Sequence, residues 1–321
     1  MTPGELVRPE PPRVIAQIGI SSQFRPPRTV LADWLTHGDS PAAALSARVQ
    51  ANRVWERHFG RGLVTTLDNL GVSGAAPSHP ELLEWLAAEF SNFKFQMSDF
   101  KSFKQLHRTI LCSATYRQSS QLNEAAFAVD PDNRLLWRQP VRRLDAESIR
   151  DGMLFVSGSL ERRLGGPYVA TQRSSAAEVV VAESSAGSAR RSVYLQQRRT
   201  QTLSLLNLFD APAVTFNCVQ RPTTTMPLQS LSQLNSEFAL ARAAALARRL
   251  EHEAPPDPRH RARLAFELAA GRSPTDVELR SSLEFLEEQT RSYEPAADAS
   301  PRAWADFCQM LLSSNAFLYV E

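Results

Sequence analysis

The sequence predicts a mainly α protein, with a helical bundle-like architecture in two halves and one small β element. Apolar residues recur at the three- and four-residue spacing of an amphipathic helix along most of the chain. Capping residues or prolines stand directly before several of these stretches, and glycine or proline follows them. The 321 residues are 43% hydrophobic, which is enough for a sizeable core and for about two domains.

Four helices are expected in the first half of the chain. Ser40 followed by Pro41 predicts a helix that runs to about Phe59, because a proline in the first turn costs no hydrogen bond. Pro80 begins the next predicted helix, Asp99 is placed to cap a third, and Asp145 is placed to cap a fourth. The spacing of apolar residues after each of these positions gives every helix one buried face.

The second half begins with the β element. Residues 172–189 are rich in Ser and Ala and predict a loop or linker, with a short strand as a candidate at 178–182. Residues 191–196 alternate at period two, which is typical of a strand. A long helix is expected after Pro227, with apolar residues such as Leu231 and Leu234 on one side.

Four segments follow from this pattern. They are an extended lead-in at 1–27, an N-terminal helical half at 28–171, the loop or linker at 172–189, and a C-terminal half at 190–321 with a short strand and then helices. The lead-in is rich in proline and carries Glu5 and Arg8, so it lacks the apolar stretch of a secretory signal.

Charge and hydropathy exclude several classes of protein. Lys and Arg number 36 and Asp and Glu number 34, a net charge of +2 that argues against a general nucleic-acid binder. Uninterrupted apolar runs fall short of the roughly 18 residues of a membrane helix, so no membrane span is expected. Only Lys94, Lys101 and Lys104 are lysines, and the chain is therefore arginine-rich and suited to binding carboxylates and other oxyanions.

Motifs for common cofactors and metals are missing from the sequence. It contains no Gly-rich phosphate loop, no HExxH motif and no CxxCH haem attachment motif. Cys112, Cys218 and Cys308 are far apart and do not have the spacing of a zinc site. We therefore expect no cofactor and no metal in this chain.

His79, Asp145, Glu147 and Asp151 are the candidates for catalysis. His79 precedes a helix, whose positive end disfavours protonation of the imidazole, so the ring is a candidate base. The three acids lie within two helical turns, and paired carboxylates perform acid and base catalysis in glycosidases. The alternative is structural: a packed histidine, a capping Asp145, and acids paired with neighbouring arginines.

Seven residues are candidates for binding an anion: Arg142 and Arg143 beside the acids, Arg191, Tyr194 and Arg198 on one strand-like stretch, and Arg221 and Thr225 before a helix. Several guanidinium groups on one stretch can converge on a single oxyanion. Arg221 and Thr225 precede the helix that begins near Pro227, where backbone amides favour negative charge. The alternatives are pairing of the arginines with acids inside the protein and simple capping of that helix.

Ten motifs in a fixed order resemble the planctomycete PSD domain, a domain of unknown function. They span roughly residues 28–320 and are LADWLT (31–36), NRVWERHFGRGLV (52–64), SHPELLEWLAAEF (78–90), TYRQSS (115–120), DPDNRLLWR (130–138), RRLDAESIRDGM (142–153), RRSVY (190–194), LFDAP (208–212), PLQSLSQLNSEF (227–238) and LLSSNAFLYV (311–320). The segment 91–104 departs most from the family pattern.

The resemblance implies a context and no active site. Members of this family have no established activity, usually follow another planctomycete domain, and often accompany a cytochrome-c-like domain. The resemblance therefore implies a periplasmic or cell-envelope location and an adjoining planctomycete domain or cytochrome-c-like protein as partner. It also implies that this chain is the C-terminal module, as a truncated, split or separately encoded unit.

Two functions remain open at this point. The first is a non-catalytic module of the exported type, which docks on the adjoining planctomycete domain and serves a haem-bearing partner or an acidic ligand. The second is an unrecognised hydrolase that acts on acidic or sulfated carbohydrate, with His79 and the acids at 145–151 in catalysis. The two differ in whether these acids face an open cleft or are held by arginines.

Overall fold

A computed structural model describes residues 26–37, 40–96, 101–175, 177–214 and 218–320, together with Pro12 and Ile15. The predicted mainly α fold is confirmed, since helices dominate and the strands form only two small sheets. The chain divides into two compact units, the first ending at Pro140 and the second comprising Val141–Val320. Nearly all of the lead-in expected at 1–27 lies outside the described residues.

The first unit is helical. Its helices are α1 (Pro27–Thr36), α2 (Pro41–Phe59), α3 (Pro80–Gln96), α4 (Lys101–Leu111) and α5 (Glu124–Val129). Ser40 caps α2 as predicted, because its hydroxyl accepts a hydrogen bond from the amide of Ala43 at 3.1 Å. Phe59, Leu86 and Ile110 meet in the core between α2, α3 and α4. In the divergent segment 91–104, residues 97–100 lie outside the described part of the chain.

A buried asparagine fixes the turn after α2. The side chain of Asn52 is completely buried, and its amide donates to the carbonyl of Val64 at 2.9 Å. Its oxygen accepts from the backbone amide of Val64, also at 2.9 Å. The amide side chain therefore replaces the two hydrogen bonds that a strand neighbour would make, and it ties the segment after Gly60 to the core.

The second unit combines eight helices with short strands within its described residues. They are β1 (Arg142–Arg143), α6 (Ala146–Val156), β2 (Gln172–Arg173), β3 (Val179–Val180), α7 (Ser204–Leu208), α8 (Pro227–Asn235), α9 (Glu237–Glu253), α10 (Pro258–Ala270), α11 (Asp276–Tyr293), α12 (Ala299–Leu312), α13 (Asn315–Leu318) and β4 (Tyr319–Val320). Helices α9, α10, α11 and α12 pack together around Leu246, Ala265 and Phe307. Among the described helices, none is both long and apolar enough to cross a membrane.

Residues 141–171 fold with the second unit, whereas the sequence grouped them with the first half. Arg142 of β1 pairs antiparallel with Val320 of β4, and Ile149 and Met153 of α6 enter the core of the second unit. The short strand expected at 178–182 is present as β3, and it pairs with β2. The division of the chain therefore falls at Pro140, and 172–189 lies inside the second unit.

The strand predicted at 191–196 is wrong. Ser192–Tyr194 form one turn of 3₁₀ helix, and Leu195 makes only an isolated bridge to Val169. The reason lies outside the segment, because the Asp151 carboxylate accepts a hydrogen bond from the amide of Ser192. That bond satisfies the amide at the start of the turn as a helix cap does, and no strand partner is required.

The long helix expected after Pro227 is also interrupted. Ser236 ends α8 and caps α9, since its hydroxyl accepts from the amide of Ala239 at 3.2 Å. Leu231 is half exposed, whereas Gln229 and Gln233 are buried. Hydrogen bonds from Gln229 to the carbonyls of Leu208 and Thr224 hold the glutamine face of α8 inward, so the leucine face is the exposed one.

Candidate functional site

Helix α6 positions the three candidate acids. Asp145 occupies the N-cap position, Glu147 lies in the first turn, and Asp151 follows Glu147 by four residues on the same face. Asp145 has the extended backbone of a cap, but within the described residues its carboxylate makes no capping hydrogen bond. Its oxygen lies 3.5 Å from the guanidinium of Arg221.

Arg221 holds two of these carboxylates. Its Nη1 donates to Oε2 of Glu147 at 2.7 Å and its Nη2 donates to Oε1 at 3.2 Å, which is the bidentate geometry of a strong charged pair. The hydrogen bonds to Glu147 raise the pKa of Arg221 above its ordinary value. Both side chains are 32% exposed, so the pair lies at the edge of the unit.

Arg143 is engaged entirely inside the second unit. Its side chain is 4% exposed and its Nη2 donates to Oδ2 of Asp210 at 2.7 Å. It also donates to Gln229 Oε1 at 3.1 Å and to the carbonyl of Thr224. The guanidinium therefore joins β1 to the segment that follows α7 and to the start of α8, and both of its terminal nitrogens already have protein partners.

Asp210 receives donors from several directions. The amide and the hydroxyl of Thr224 each donate to it at 2.8 Å. Burial opposes the charged form of this carboxyl, but the Thr224 amide and the Arg143 guanidinium together hold the pKa of Asp210 below its usual value. The candidate Thr225 is exposed, and its neighbour Thr224 makes these bonds.

Asp151 organises a second cluster. Its Oδ1 accepts from both the amide and the hydroxyl of Ser192 at 2.7 Å, and its Oδ2 accepts from Nε of Arg191 at 3.3 Å. Arg150 is 2% exposed and donates to the carbonyls of Arg190 at 2.9 Å and Ser188 at 2.7 Å. Burial lowers the pKa of Arg150 to about 10, and the side chain is therefore charged at neutral pH.

Tyr194 and Arg190 support a glycine turn. The Arg190 guanidinium stacks 3.8 Å from the centre of the Tyr194 ring and donates to the carbonyls of Pro167 and Gly165. The hydroxyl of Tyr194 accepts from the amide of Gly165 at 3.1 Å. Gly165 and Gly166 have φ of +70° and +88°, so a side chain at either position would be strained. Tyr194 therefore positions this turn.

Arg191 and Arg198 are the exposed arginines of the predicted anion-binding set. The side chain of Arg191 is 60% exposed despite its bond to Asp151. Arg198 is exposed and lies 3.5 Å from Oε1 of Gln201. Arg142 is half-buried. Among the arginines of this set, Arg191 and Arg198 are therefore the two whose side chains are open to solvent.

His79 lies in the first unit, whereas the candidate acids lie in the second. Its carbonyl accepts from the amide of Leu83 at 3.1 Å at the start of α3. Its Nδ1 lies 3.0 Å from the hydroxyl of Ser78. Of the three acids, Asp145 and Glu147 both bind the guanidinium of Arg221, whereas Asp151 accepts hydrogen bonds from Ser192.

The first unit contains a histidine pair that the sequence did not predict. His58 Nε2 and His107 Nδ1 lie 2.7 Å apart, and the ring of Tyr116 stands edge-on to His58 at 5.5 Å. A sequence signal exists, because His58 follows Trp55 by three residues and His107 precedes Ile110 by three. Both histidines thus flank the buried stripe of their helix. Among the described residues, no group of three or more His, Cys, Asp or Glu side chains is placed to hold a metal ion.

Comparison with known proteins identifies a family without assigning an activity. No curated protein matches the chain, and no solved structure matches it. The model of the PSD1 family, described as a protein of unknown function (DUF1553), matches residues 27–286. The match covers α1 through most of α11, and therefore most of both units. The chain belongs to the PSD1 (DUF1553) family of proteins of unknown function.

Proposed function

We propose that this chain is a non-catalytic binding module, which docks on an adjoining planctomycete domain and serves a haem-bearing partner or an acidic ligand. The observation that carries the proposal is the pairing of the α6 carboxylates with donors of the same unit. Glu147 is forked by Arg221 at 2.7 and 3.2 Å, and Asp151 accepts two bonds from Ser192. These pairs join α6 to distant segments of the same unit, which is a structural role for the carboxylates and not a catalytic one.

The same pairing disfavours the hydrolase of acidic or sulfated carbohydrate. A glycosidase needs one carboxyl group that carries a proton and a second that is free to act as base or nucleophile. An ionised carboxylate forked by a guanidinium accepts hydrogen bonds and has no proton to donate. Glu147 is in that position, and Asp145 shares the same guanidinium.

A basic stretch offers the binding surface. Residues 157–203 contain seven arginines against three glutamates, although the whole chain has a net charge of only +2. Glu183 in this stretch is paired with Arg242 at 2.6 Å, which leaves fewer acids to balance the arginines. Exposed guanidinium groups such as those of Arg191 and Arg198 favour carboxylates on a partner and speed its encounter.

The proposal is tested by titrating the full chain with the adjoining domain and, separately, with an acidic cytochrome-c-like module. Arg191→Gln with Arg198→Gln removes two exposed charges from the basic stretch. Arg259→Gln with Arg263→Gln is the matched control, because it removes two exposed charges from α10. We expect the first pair to weaken binding at least about tenfold at low salt and the control pair to change it less than about twofold.

Other outcomes contradict the proposal. Failure of both partners to bind the unsubstituted chain would remove its basis, and so would equal weakening by the two double variants. Hydrolysis of a sulfated carbohydrate that is lost in Glu147→Gln would establish the enzymatic alternative in its place.

A further inference from the structure

We propose that the outward face of α8 is an interface between two copies of this chain, which pair their α8 helices antiparallel about a two-fold axis. Leu228, Leu231 and Leu234 make up this leucine face. They follow one another at three-residue spacing, so they lie on one side of the helix. The inference goes beyond the binding function proposed above, because it uses neither the α6 carboxylates nor the exposed arginines.

Helix α8 reverses the usual orientation of an amphipathic helix. Its three leucines are each at least half exposed, whereas Gln229 and Gln233 on the opposite side are buried. A helix at the surface of a globular unit ordinarily turns its apolar side to the core. Here hydrogen bonds of Gln229 hold the polar side inward and leave the apolar side in water. An exposed apolar face of this kind is typical of a surface that a partner covers.

Two exposed methionines flank the leucine face. Met226 directly precedes α8, and Met310 belongs to α12. The end of α8 lies against α12, because the side chain of Gln309 donates to the carbonyl of Leu234 at 2.6 Å. The three leucines and two methionines expose on the order of 400 Å² of apolar surface, as large as the main patch on many monomers. With a polar rim this area suits a weak dimer, since standard interfaces bury about 800 Å² on each partner.

The sequence of the helix reads the same from either end. Residues 228–234 are LQSLSQL, with Leu231 at the centre. In an antiparallel pair about a two-fold axis at Leu231, this residue meets its own copy, and Leu228 of one copy meets Leu234 of the other. A two-fold interface requires a patch that is complementary to itself. The order of residues in α8 meets this requirement, because every leucine then opposes a leucine.

Charge favours a second copy of the chain as the partner. Residues 222–236 contain no Asp, Glu, Lys, Arg or His, although charged residues make up 22% of the chain. A two-fold contact places side chains near the same side chains of the other copy, so a charge close to the axis would meet its like. The leucine face carries no such charge. In the antiparallel arrangement, the positive N-terminal end of each α8 also lies beside the negative C-terminal end of the other.

The test is sedimentation equilibrium of the full chain at concentrations from about 1 to about 100 μM. We expect a reversible equilibrium of monomer and dimer, with a dissociation constant in the micromolar range. Leu231→Glu places two carboxylates against each other at the axis and should weaken dimerisation at least about tenfold. Leu31→Glu, at an exposed leucine of α1, is the matched control and should change dimerisation less than about twofold.

Cross-linking locates the contact even if Leu231→Glu impairs folding. The exposed Cys112 and Cys218 are first replaced by serine. In that background, Leu231→Cys should give a covalent dimer with a short bismaleimide, because the two-fold axis places position 231 against its own copy. Leu31→Cys should give none.

Arg191→Gln with Arg198→Gln should dimerise like the unsubstituted chain, which separates this inference from the proposed binding function. A chain that stays monomeric over the whole range overturns the proposal. So does a dimer that persists in a folded Leu231→Glu variant, that fails to cross-link at position 231, or that is lost with the two arginines. If the chain is monomeric and binds the adjoining planctomycete domain through Leu231, that domain covers the leucine face and the proposal is overturned as well.

Discussion

Asp151 and Ser192 are joined by two hydrogen bonds, in which Oδ1 of the aspartate accepts from both the amide and the hydroxyl of the serine at 2.7 Å. Ser192 is buried. The other oxygen of the same carboxylate accepts a hydrogen bond from Nε of Arg191. One side chain on α6 therefore determines the conformation of a segment that lies forty residues further along the chain.

Replacing this carboxylate should destabilise the second unit. Asp151→Ala leaves the buried amide and hydroxyl of Ser192 without an acceptor, and we expect the free energy of unfolding to fall by about 3 kcal/mol. Urea unfolding followed by circular dichroism measures the change. Glu251→Ala, at an exposed position on α9, is the control and should stay within about 0.5 kcal/mol. Equal effects of the two substitutions would contradict the structural role of Asp151.

The Arg143–Asp210 pair should be worth far more than an exposed pair of the same chemistry. Arg143→Gln leaves Asp210 without its buried guanidinium, with an expected cost of about 3 kcal/mol. Arg302→Gln breaks the Arg302–Asp298 pair, in which both side chains are more than half exposed, and should cost less than about 1 kcal/mol. A similarly small loss of stability in both variants would show that the Arg143–Asp210 pair adds little to the free energy of unfolding.

Asn52 should be the most sensitive polar residue of the first unit. Asn52→Leu removes the donor and the acceptor that satisfy both backbone groups of Val64 in a buried environment. We expect a loss of about 3 kcal/mol in urea unfolding, since two buried groups lose their partners. Arg53→Ala, the exposed neighbour on α2, should change the free energy of unfolding by less than about 0.5 kcal/mol. Tolerance of leucine at position 52 would refute this assignment.

The cap of α11 should make stability depend on pH. The Arg272 guanidinium and the Thr275 backbone lower the pKa of Glu278 to about 2, from 4.5 in the unfolded chain. A depressed carboxyl pKa contributes stability that is fully present above the unfolded value and is lost as the pH falls toward 2. Glu278→Gln should therefore be less stable than the unsubstituted chain at pH 6, by roughly 1 kcal/mol after solvent screening.

The thermal midpoints of these two proteins, measured between pH 2 and pH 6, test that sign. The difference between them should shrink steadily as the pH falls through the window between 4.5 and 2. A difference that stays constant, or that grows in acid, would show that Glu278 is not held as an ionised cap.

Local sequence patterns predicted helices well and failed where distant side chains decide the structure. Pro41 to Phe59 is helical as expected, because its cap and its apolar spacing are both local. The period-two pattern at 191–196 gave no sign of Asp151, and the leucines after Pro227 gave no sign that Gln229 would be drawn inward. Each of these outcomes depends on a partner more than four residues away.

In the candidate site too, individual residues could be predicted from the sequence but their partners could not. In the sequence Glu147 is a candidate acid and Arg221 a separate candidate for binding an anion, and the structure joins them to each other. His58 and His107 could not be paired from the sequence, because they are far apart along the chain and come together only where α2 packs on α4. Pairing across the chain is thus the property that the sequence alone does not carry.

A double-mutant cycle on Glu147 and Arg221 tests the central claim most directly. The free energies of unfolding of Glu147→Gln, Arg221→Gln and the double variant give the coupling between the two side chains. If Glu147 is a structural partner of Arg221, we expect a favourable coupling of about 1 kcal/mol, because both side chains are partly exposed. Zero coupling, together with a protein that becomes more stable in Glu147→Gln, is the behaviour of an active-site carboxylate and would contradict the account.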